Sequence, residues 1–153
     1  MNIEQKITEL NIELPKLGNK DLPFASAVIV DNLVYLSGQT PMVEGEVRYK
    51  GTVGATVTTE EAQEAAEICC LNLLAALKNK IGDLNKVKRV IKVAGYVASE
   101  TNYMDQPKVI NSASNLINKI FGEENKHARV AIGVAALPGG AAVEIEMIVE
   151  INN

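Results

Sequence analysis

The sequence predicts an α+β fold, a mixed β-sheet with two helices packed on one of its faces. Two observations carry this expectation. Residues 58–82 and 105–122 place apolar side chains at helical spacing and each closes on a glycine. Around them, residues 25–37, 87–98, 128–135 and 142–151 are rich in β-branched and alternating apolar residues. The resulting order is hairpin, helix, strand, helix, strand pair, which buries apolar surface best as a helical layer on a sheet. A chain of 153 residues can hold one domain with a sizeable core. Its 47% hydrophobic and 22% charged residues are the balance of an ordinary globular protein.

The elements follow in order. Ile3, Ile7 and Leu10 are spaced for a short amphipathic helix behind Asn2, a good cap. Residues 15–23 are polar and rich in turn formers, so residues 1–21 read as a short helix and a loop ahead of a single domain at 22–153. Strands are expected at 25–30 and 33–37, divided by Asp31-Asn32, a pair that tolerates the positive φ of a tight hairpin. Residues 38–54 hold four glycines and one proline and read as a loop with a short strand at 46–49.

Thr58 and Glu61 have capping-box spacing. Behind them Ala62, Ala66, Cys69, Leu73 and Leu77 make one stripe, widened by Ala65, Ile68 and Leu74, and Gly82 supplies a stop. The stripe is most simply a core face. Residues 87–98 form a strand carrying Val90, Ile91, Val93 and Val97. Asp105 is expected to cap the second helix, with Pro107 in its first turn and Val109, Ala113, Leu116, Ile117 and Ile120 buried.

The last two strands, 128–135 and 142–151, are joined through Leu137-Pro138-Gly139-Gly140. In the final strand Val143, Ile145, Met147, Val149 and Ile151 share one face, and Glu144, Glu146 and Glu150 the other. Ile148 among the glutamates, and Val130 with Ile132, make the second sheet face too apolar to be left to water, which points to burial against further copies.

Composition excludes several functions. A net charge of −4 has the wrong sign for an electrostatic nucleic-acid binder, and 4% aromatics with no Trp offer no stacking platform. The N-terminus lacks the apolar core of a secretory signal, and no stretch has the length and apolarity of a membrane span, so no membrane partner is expected. Cys69 and Cys70 are neighbours without a Cys-x-x-Cys pattern and read as two buried or half-buried thiols of a cytoplasmic protein. His127 is the single histidine, with no second histidine or paired cysteine at ligand spacing, so no metal site is expected.

Arg129 stands out in the run His127-Ala128-Arg129-Val130-Ala131-Ile132-Gly133-Val134, and Glu144 opens the next strand fifteen positions later. A buried guanidinium is costly unless it meets an anion, and its planar fork suits a carboxylate held by two parallel hydrogen bonds. Arg129 therefore marks either a structural ion pair or a site for a small carboxylic acid.

Two motifs sharpen the choice. Leu36-Ser37-Gly38-Gln39-Thr40-Pro41 resembles the Ser-Gly-Gln-x-Pro turn of the RidA / YjgF family, also called the endoribonuclease L-PSP family. His127-Ala128-Arg129, then Gly133-Val134-Ala135-Ala136-Leu137-Pro138 and Val143-Glu144-Ile145-Glu146, resembles its C-terminal signature. Ile12-Glu13-Leu14-Pro15 and the Gly-Val-Ala-Ala-Leu-Pro run look most like a longer branch of that family. The resemblance implies a chorismate-mutase-like fold and a homotrimer with a central barrel and three clefts between subunits. It also implies hydrolysis of enamines and imines such as 2-aminoacrylate to 2-keto acids and ammonia, as in a 2-iminobutanoate/2-iminopropanoate deaminase, without metal or organic cofactor.

On that resemblance Arg129 clamps the carboxylate of a small metabolite, and Glu144 orients a water or moves its proton. Ser37 and Gly38 line the cleft. Phe24 stands where active deaminases usually carry a tyrosine, keeping the ring without the hydroxyl. The cleft asparagine of the second helix falls in the stretch from Asn111 to Ser114. The alternative is a non-catalytic trimer that binds a 2-keto acid. A ribonuclease is disfavoured by the acidic balance and by the absence of stacking aromatics and of an acid–base histidine pair.

Overall fold

A computed structural model describes residues 2–18 and 20–153. Asn2 accepts a hydrogen bond from the Gln5 amide and starts α1, Ile3–Glu9. The helix is tied down through its first two residues. Asn85 Oδ1 accepts from the Ile3 and Glu4 amides at 2.7 and 3.2 Å, and Glu4 pairs with Lys78 at 2.8 Å. These contacts satisfy amides that a helix start leaves unpaired, and Ile3 and Ile7 enter the core. Of the loop expected at 15–23, Asn19 lies outside the described residues.

Strands β1, Ala27–Val30, and β2, Leu33–Gln39, form the expected hairpin, with Asp31 at φ 52° in its turn. The following stretch is more ordered than its glycine content suggests. Gly38 and Gln39 belong to β2, and β3, Met42–Val43, pairs with β4, Glu46–Val47. Glu44 and Gly45, both at positive φ, make the turn. The strand expected at 46–49 stops at Val47, because Tyr49 adopts φ 57°, which no strand continues.

The first long helix, α2, spans Thr59–Ile81 behind a complete capping box of Thr58 and Glu61, and ends at Gly82 with φ 84°. More of it is buried than one stripe. Cys70, Asn72, Ala75 and Ala76 are covered too, while Ile68 is only half-buried. The added cover comes from α3 on one flank and from Leu14 and Leu17 of the N-terminal segment, which lie beside Ala75. Asn72 is a polar exception with a purpose. Its Nδ2 donates to the Thr40 and Met42 carbonyls at 3.1 and 3.0 Å and so fastens the loop that enters β3.

β5, Val87–Ala98, leads to α3, Gln106–Phe121, and then to β6, Ala128–Val134, and β7, Val143–Ile151. Asp105 occupies the cap position of α3 but its side chain makes no capping hydrogen bond, since its backbone at φ −98° and ψ 27° is not in the extended form that capping uses. The five-stranded sheet runs β1-β2-β7-β5-β6. The final two strands are therefore not a hairpin. A helical crossover through α3 returns β6 parallel to β5 at the sheet edge, and β7 enters the slot between β2 and β5, antiparallel to both.

Helix α2 covers β2 and β7, and α3 covers β5 and β6. Val34, Leu36, Val90, Val93, Val97, Ile145, Met147 and Val149 fill the face between. Pairing register sets the opposite face, which carries Val28, Val30, Tyr35, Val130 and Ile132, all exposed in the single chain. At one place the two layers meet without room for a side chain. A methyl on Gly95 would stand 2.6 Å from Ile110 of α3. Gly95→Ala should accordingly destabilise the fold by about 1–3 kcal/mol through overpacking. A urea melt with an unchanged midpoint would show that α3 is not seated as described.

Candidate active site

The sequence-selected residues fall into two groups. The first surrounds Arg129. In the parallel pairing of β6 with β5, Arg129 lies opposite Val93, so its side chain leaves the sheet on the helix-covered face. There Nη1 donates to Asn111 Oδ1 at 2.7 Å and to Ser114 Oγ at 3.3 Å. Asn111 and Ser114 stand three residues apart on α3, the spacing that puts two side chains on one helix flank. Ser114 Oγ also lies 2.9 Å from His127 Nε2. Among the described residues Arg129 makes no ion pair. Burial lowers its pKa somewhat, but a guanidinium stays protonated in water. Burial and, secondarily, the Arg129 charge hold His127 below the ordinary histidine pKa, which favours the neutral imidazole.

The second group surrounds Glu144. It pairs with Tyr96 across β7 and β5 and projects from the open sheet face. The β2–β7 register slips between Leu36 and Gln39, a bulge that holds Ser37 and Gly38. Glu144 lies over this bulge, and a methyl on Gly38 would come 2.7 Å from its Oε1. A side chain at this position would displace the Glu144 carboxylate from its place over the bulge. Ser37 has a supporting part. Its hydroxyl donates to the Ala25 carbonyl at 2.6 Å and its amide to the Ser26 carbonyl at 2.9 Å, which pins the segment carrying Phe24. Phe24 itself is 59% exposed.

Glu146 shares the open face with Glu144 and accepts from Tyr96 Oη at 3.2 Å. Burial, then the nearby charge of Glu146, raises the Glu144 pKa. Tyr96 is the neighbour that sequence reading passes over. Only the β5–β7 register reveals that it faces both carboxylates.

A single chain does not bring the two groups together. Arg129 and Glu144 leave opposite faces of the sheet, and β5 runs between their strands. Each half is preassembled: a cation held by neutral acceptors, and a half-buried carboxylate over a glycine bulge. Among the described residues no group of three His, Cys, Asp or Glu side chains is arranged to hold a metal ion. Nor, among those residues, is any helix long and apolar enough to cross a membrane.

A five-stranded mixed sheet backed on one face by α2 and α3 has the form of a chorismate-mutase-like domain. Residues 4–151 match the family described as "YjgF/chorismate_mutase-like, putative endoribonuclease", and the chain belongs to this YjgF/RidA family. It is 39% identical to Protein TCP17 of Trypanosoma cruzi over 99% of this chain and 95% of that one. It is 36% identical to a 2-iminobutanoate/2-iminopropanoate deaminase of Dermatophagoides farinae, over 85% of this chain and 87% of that one. The crystal structure of protein Atu1372, of unknown function, from Agrobacterium tumefaciens is similar with a TM-score of 0.89 and 45% identity, covering 99% of this chain and 92% of that one. The family thus includes imine deaminases.

The electrostatics of the Glu144 group can be tested directly. Because the folded chain holds the Glu144 proton more tightly than the unfolded chain, the stability this group contributes is present below the ordinary glutamate pKa. It is lost as pH rises through the raised value. Glu146→Gln removes the neighbouring charge and should lower the Glu144 pKa, read from carboxyl carbon shifts in an NMR titration. An unmoved value would mean that burial alone raises it.

Proposed function

We propose that the protein hydrolyses enamine and imine intermediates of the 2-aminoacrylate type to 2-keto acids and ammonia, in clefts between the subunits of a homotrimer. The observation that carries this reading is the state of Arg129. Its Nη1 is engaged by two neutral acceptors, while its Nε–Nη2 edge faces no carboxylate of the described chain. That edge is the one a guanidinium offers to a bidentate anion. A small metabolite bearing a carboxylate is the partner it suits.

Glu144 supplies the proton chemistry. As a carboxylate it takes a proton from water while the water oxygen bonds to the C=N carbon. That proton passes to nitrogen, Glu144 then carries a second proton from the new hydroxyl to the same nitrogen, the C–N bond breaks as the C=O bond forms, and the keto acid and ammonia leave. A base with a raised pKa is better matched to this step than an ordinary glutamate. Addition of water to an imine depends on positioning and proton transfer, so the reaction asks for no metal or organic cofactor. Phe24 supplies an apolar wall, and Ser37 and Gly38 shape the floor beneath Glu144.

Threefold closure gives the exposed Val28, Val30, Tyr35, Val130 and Ile132 a place inside a central barrel. It also offers the edge strand β6 of one subunit to the bulged end of β2 and β7 in the next, so that Arg129 meets a neighbour's Glu144. The expected setting is the cytoplasm, and no nucleic acid enters the reading.

The deciding assay adds purified protein to a pyridoxal-phosphate lyase that generates imines and follows keto acid and ammonia above background. Arg129→Ala should abolish the gain, and Arg129→Lys should restore little, because an ammonium lacks the fork. The lost contact alone is worth about 1.5–3 kcal/mol, or roughly ten- to a hundredfold. Glu144→Gln should lower the maximal rate far more than it weakens keto-acid binding, with Glu146→Gln near wild type at neutral pH. If the wild type releases nothing above background, the enzyme reading fails; keto-acid binding that depends on Arg129 would then favour the binding protein.

Assembly gives an independent check. Sedimentation at micromolar concentration should report a trimer, and a monomer would remove the cleft. Mixed trimers refolded from Arg129→Ala and Glu144→Gln chains should regain about a quarter of wild-type turnover, since random assembly pairs an intact Arg129 with a neighbour's intact Glu144 at that frequency. Mixtures that stay inactive would place both groups in one subunit's site.

A further inference from the structure

We propose that His127 is a positioning residue for Arg129, acting through Ser114, whose lone pairs it keeps turned toward the guanidinium. The inference rests on the reading of Arg129 as the carboxylate clamp. Its starting point is a three-member chain of contacts: His127 Nε2 to Ser114 Oγ at 2.9 Å, and Arg129 Nη1 to Ser114 Oγ at 3.3 Å. A guanidinium only donates, so at that contact Ser114 must accept. The serine's own hydrogen then has to point elsewhere, and the imidazole nitrogen beside it is the acceptor in place. That assignment needs Nε2 unprotonated and the imidazole proton on Nδ1.

Two features agree with this arrangement. The surroundings favour the neutral ring, because burial and the Arg129 charge both oppose a second cation there. Ser114 is the single polar residue among the buried positions of α3, which are otherwise Val109, Ile110, Ala113, Ile117, Ile120 and Phe121. His127 Nδ1 is buried with no partner among the described residues, so the contact to Ser114 is the polar interaction the ring makes, and its buried Nδ1–H is the cost of holding that contact. A histidine with one nitrogen left unmet is a poor choice for packing alone.

The geometry explains what would be lost without it. A serine inside a helix can turn its hydroxyl back to the carbonyl four residues earlier, here that of Ile110. His127 competes with that alternative. With the serine hydrogen on His127, Arg129 Nη1 is fixed at two points, Ser114 and Asn111, and its Nε–Nη2 edge is held in one direction. The supporting shell thus sets how well the fork is preorganised for an anion.

The test compares His127→Phe, which keeps a ring and removes the acceptor, with His127→Gln, which keeps an acceptor, and with Ser114→Ala and the double variant His127→Phe/Ser114→Ala. Pyruvate is titrated calorimetrically into each trimer. His127→Phe and Ser114→Ala should each weaken pyruvate binding about tenfold, and the double variant should be no weaker than either. His127→Gln should recover part of the loss with a melting temperature equal to that of His127→Phe.

Multiplying losses in the double variant, or full binding in His127→Phe, would overturn the proposal. If wild-type protein binds no pyruvate, the clamp reading itself fails, and the orientation claim is decided by nitrogen–proton NMR. Restricted Nη1 signals of Arg129 should be present in wild type and averaged in His127→Phe; signals unchanged by the substitution would refute it.

Discussion

Strand β7 is hydrogen-bonded on both sides, to β2 and to β5, and the placement of every candidate residue depends on that insertion. Its alternating pattern sends Val143, Ile145, Met147 and Val149 into the core, which fixes Glu144 and Glu146 on the open face. Its pairing with β2 carries the bulge at Ser37 and Gly38 that makes room for Glu144. Its pairing with β5 brings Tyr96 beside both glutamates. By occupying the slot next to β5 it also leaves β6 at the edge, and with it Arg129. A one-residue slip of β7 would turn its glutamates inward and its valines and isoleucines out, so the hydrophobic pattern guards the chemistry and the core together.

Much of this was legible because it is local. The capping box of Thr58 and Glu61, the stop at Gly82 and the hairpin at Asp31 are encoded within a few residues of themselves and occur where the pattern puts them. Asp105 shows the limit of local reading, since a good capping residue caps only if its backbone turns the right way. The turn at Glu44 and Gly45 was hidden for a related reason: a glutamate at positive φ carries no signal of its own. Strand order was less accessible still. The turn between β6 and β7 looks like a hairpin connection, and only the competition for a place beside β5 separates the two strands.

The site was legible as a list and not as an arrangement. Motif spacing picks out Arg129, Glu144, Ser37 and Gly38, and narrows the α3 position to the stretch in which Asn111 and Ser114 hold the arginine. What it omits is parity. Whether two residues on different strands share a face depends on register, a property of pairs far apart in the chain. The hydroxyl of Ser37 is a second case: it belongs to a motif named for the cleft, yet its hydrogen is committed to the Ala25 carbonyl. The contact between His127 and Ser114 joins a strand entrance to a helix flank, and no periodicity announces it.

The separation of Arg129 and Glu144 onto opposite faces has a consequence beyond geometry. If each cleft is built from two copies, function becomes subject to the law of mass action. Every chain can be fully folded while none is competent, because competence belongs to the encounter between copies. Specific activity would then fall on dilution below the dissociation constant of the assembly, with no loss of secondary structure. A change at the subunit boundary could silence the protein while leaving both half-sites untouched. Abundance would be a control variable in its own right, set by how much chain is made and how tightly its edges close.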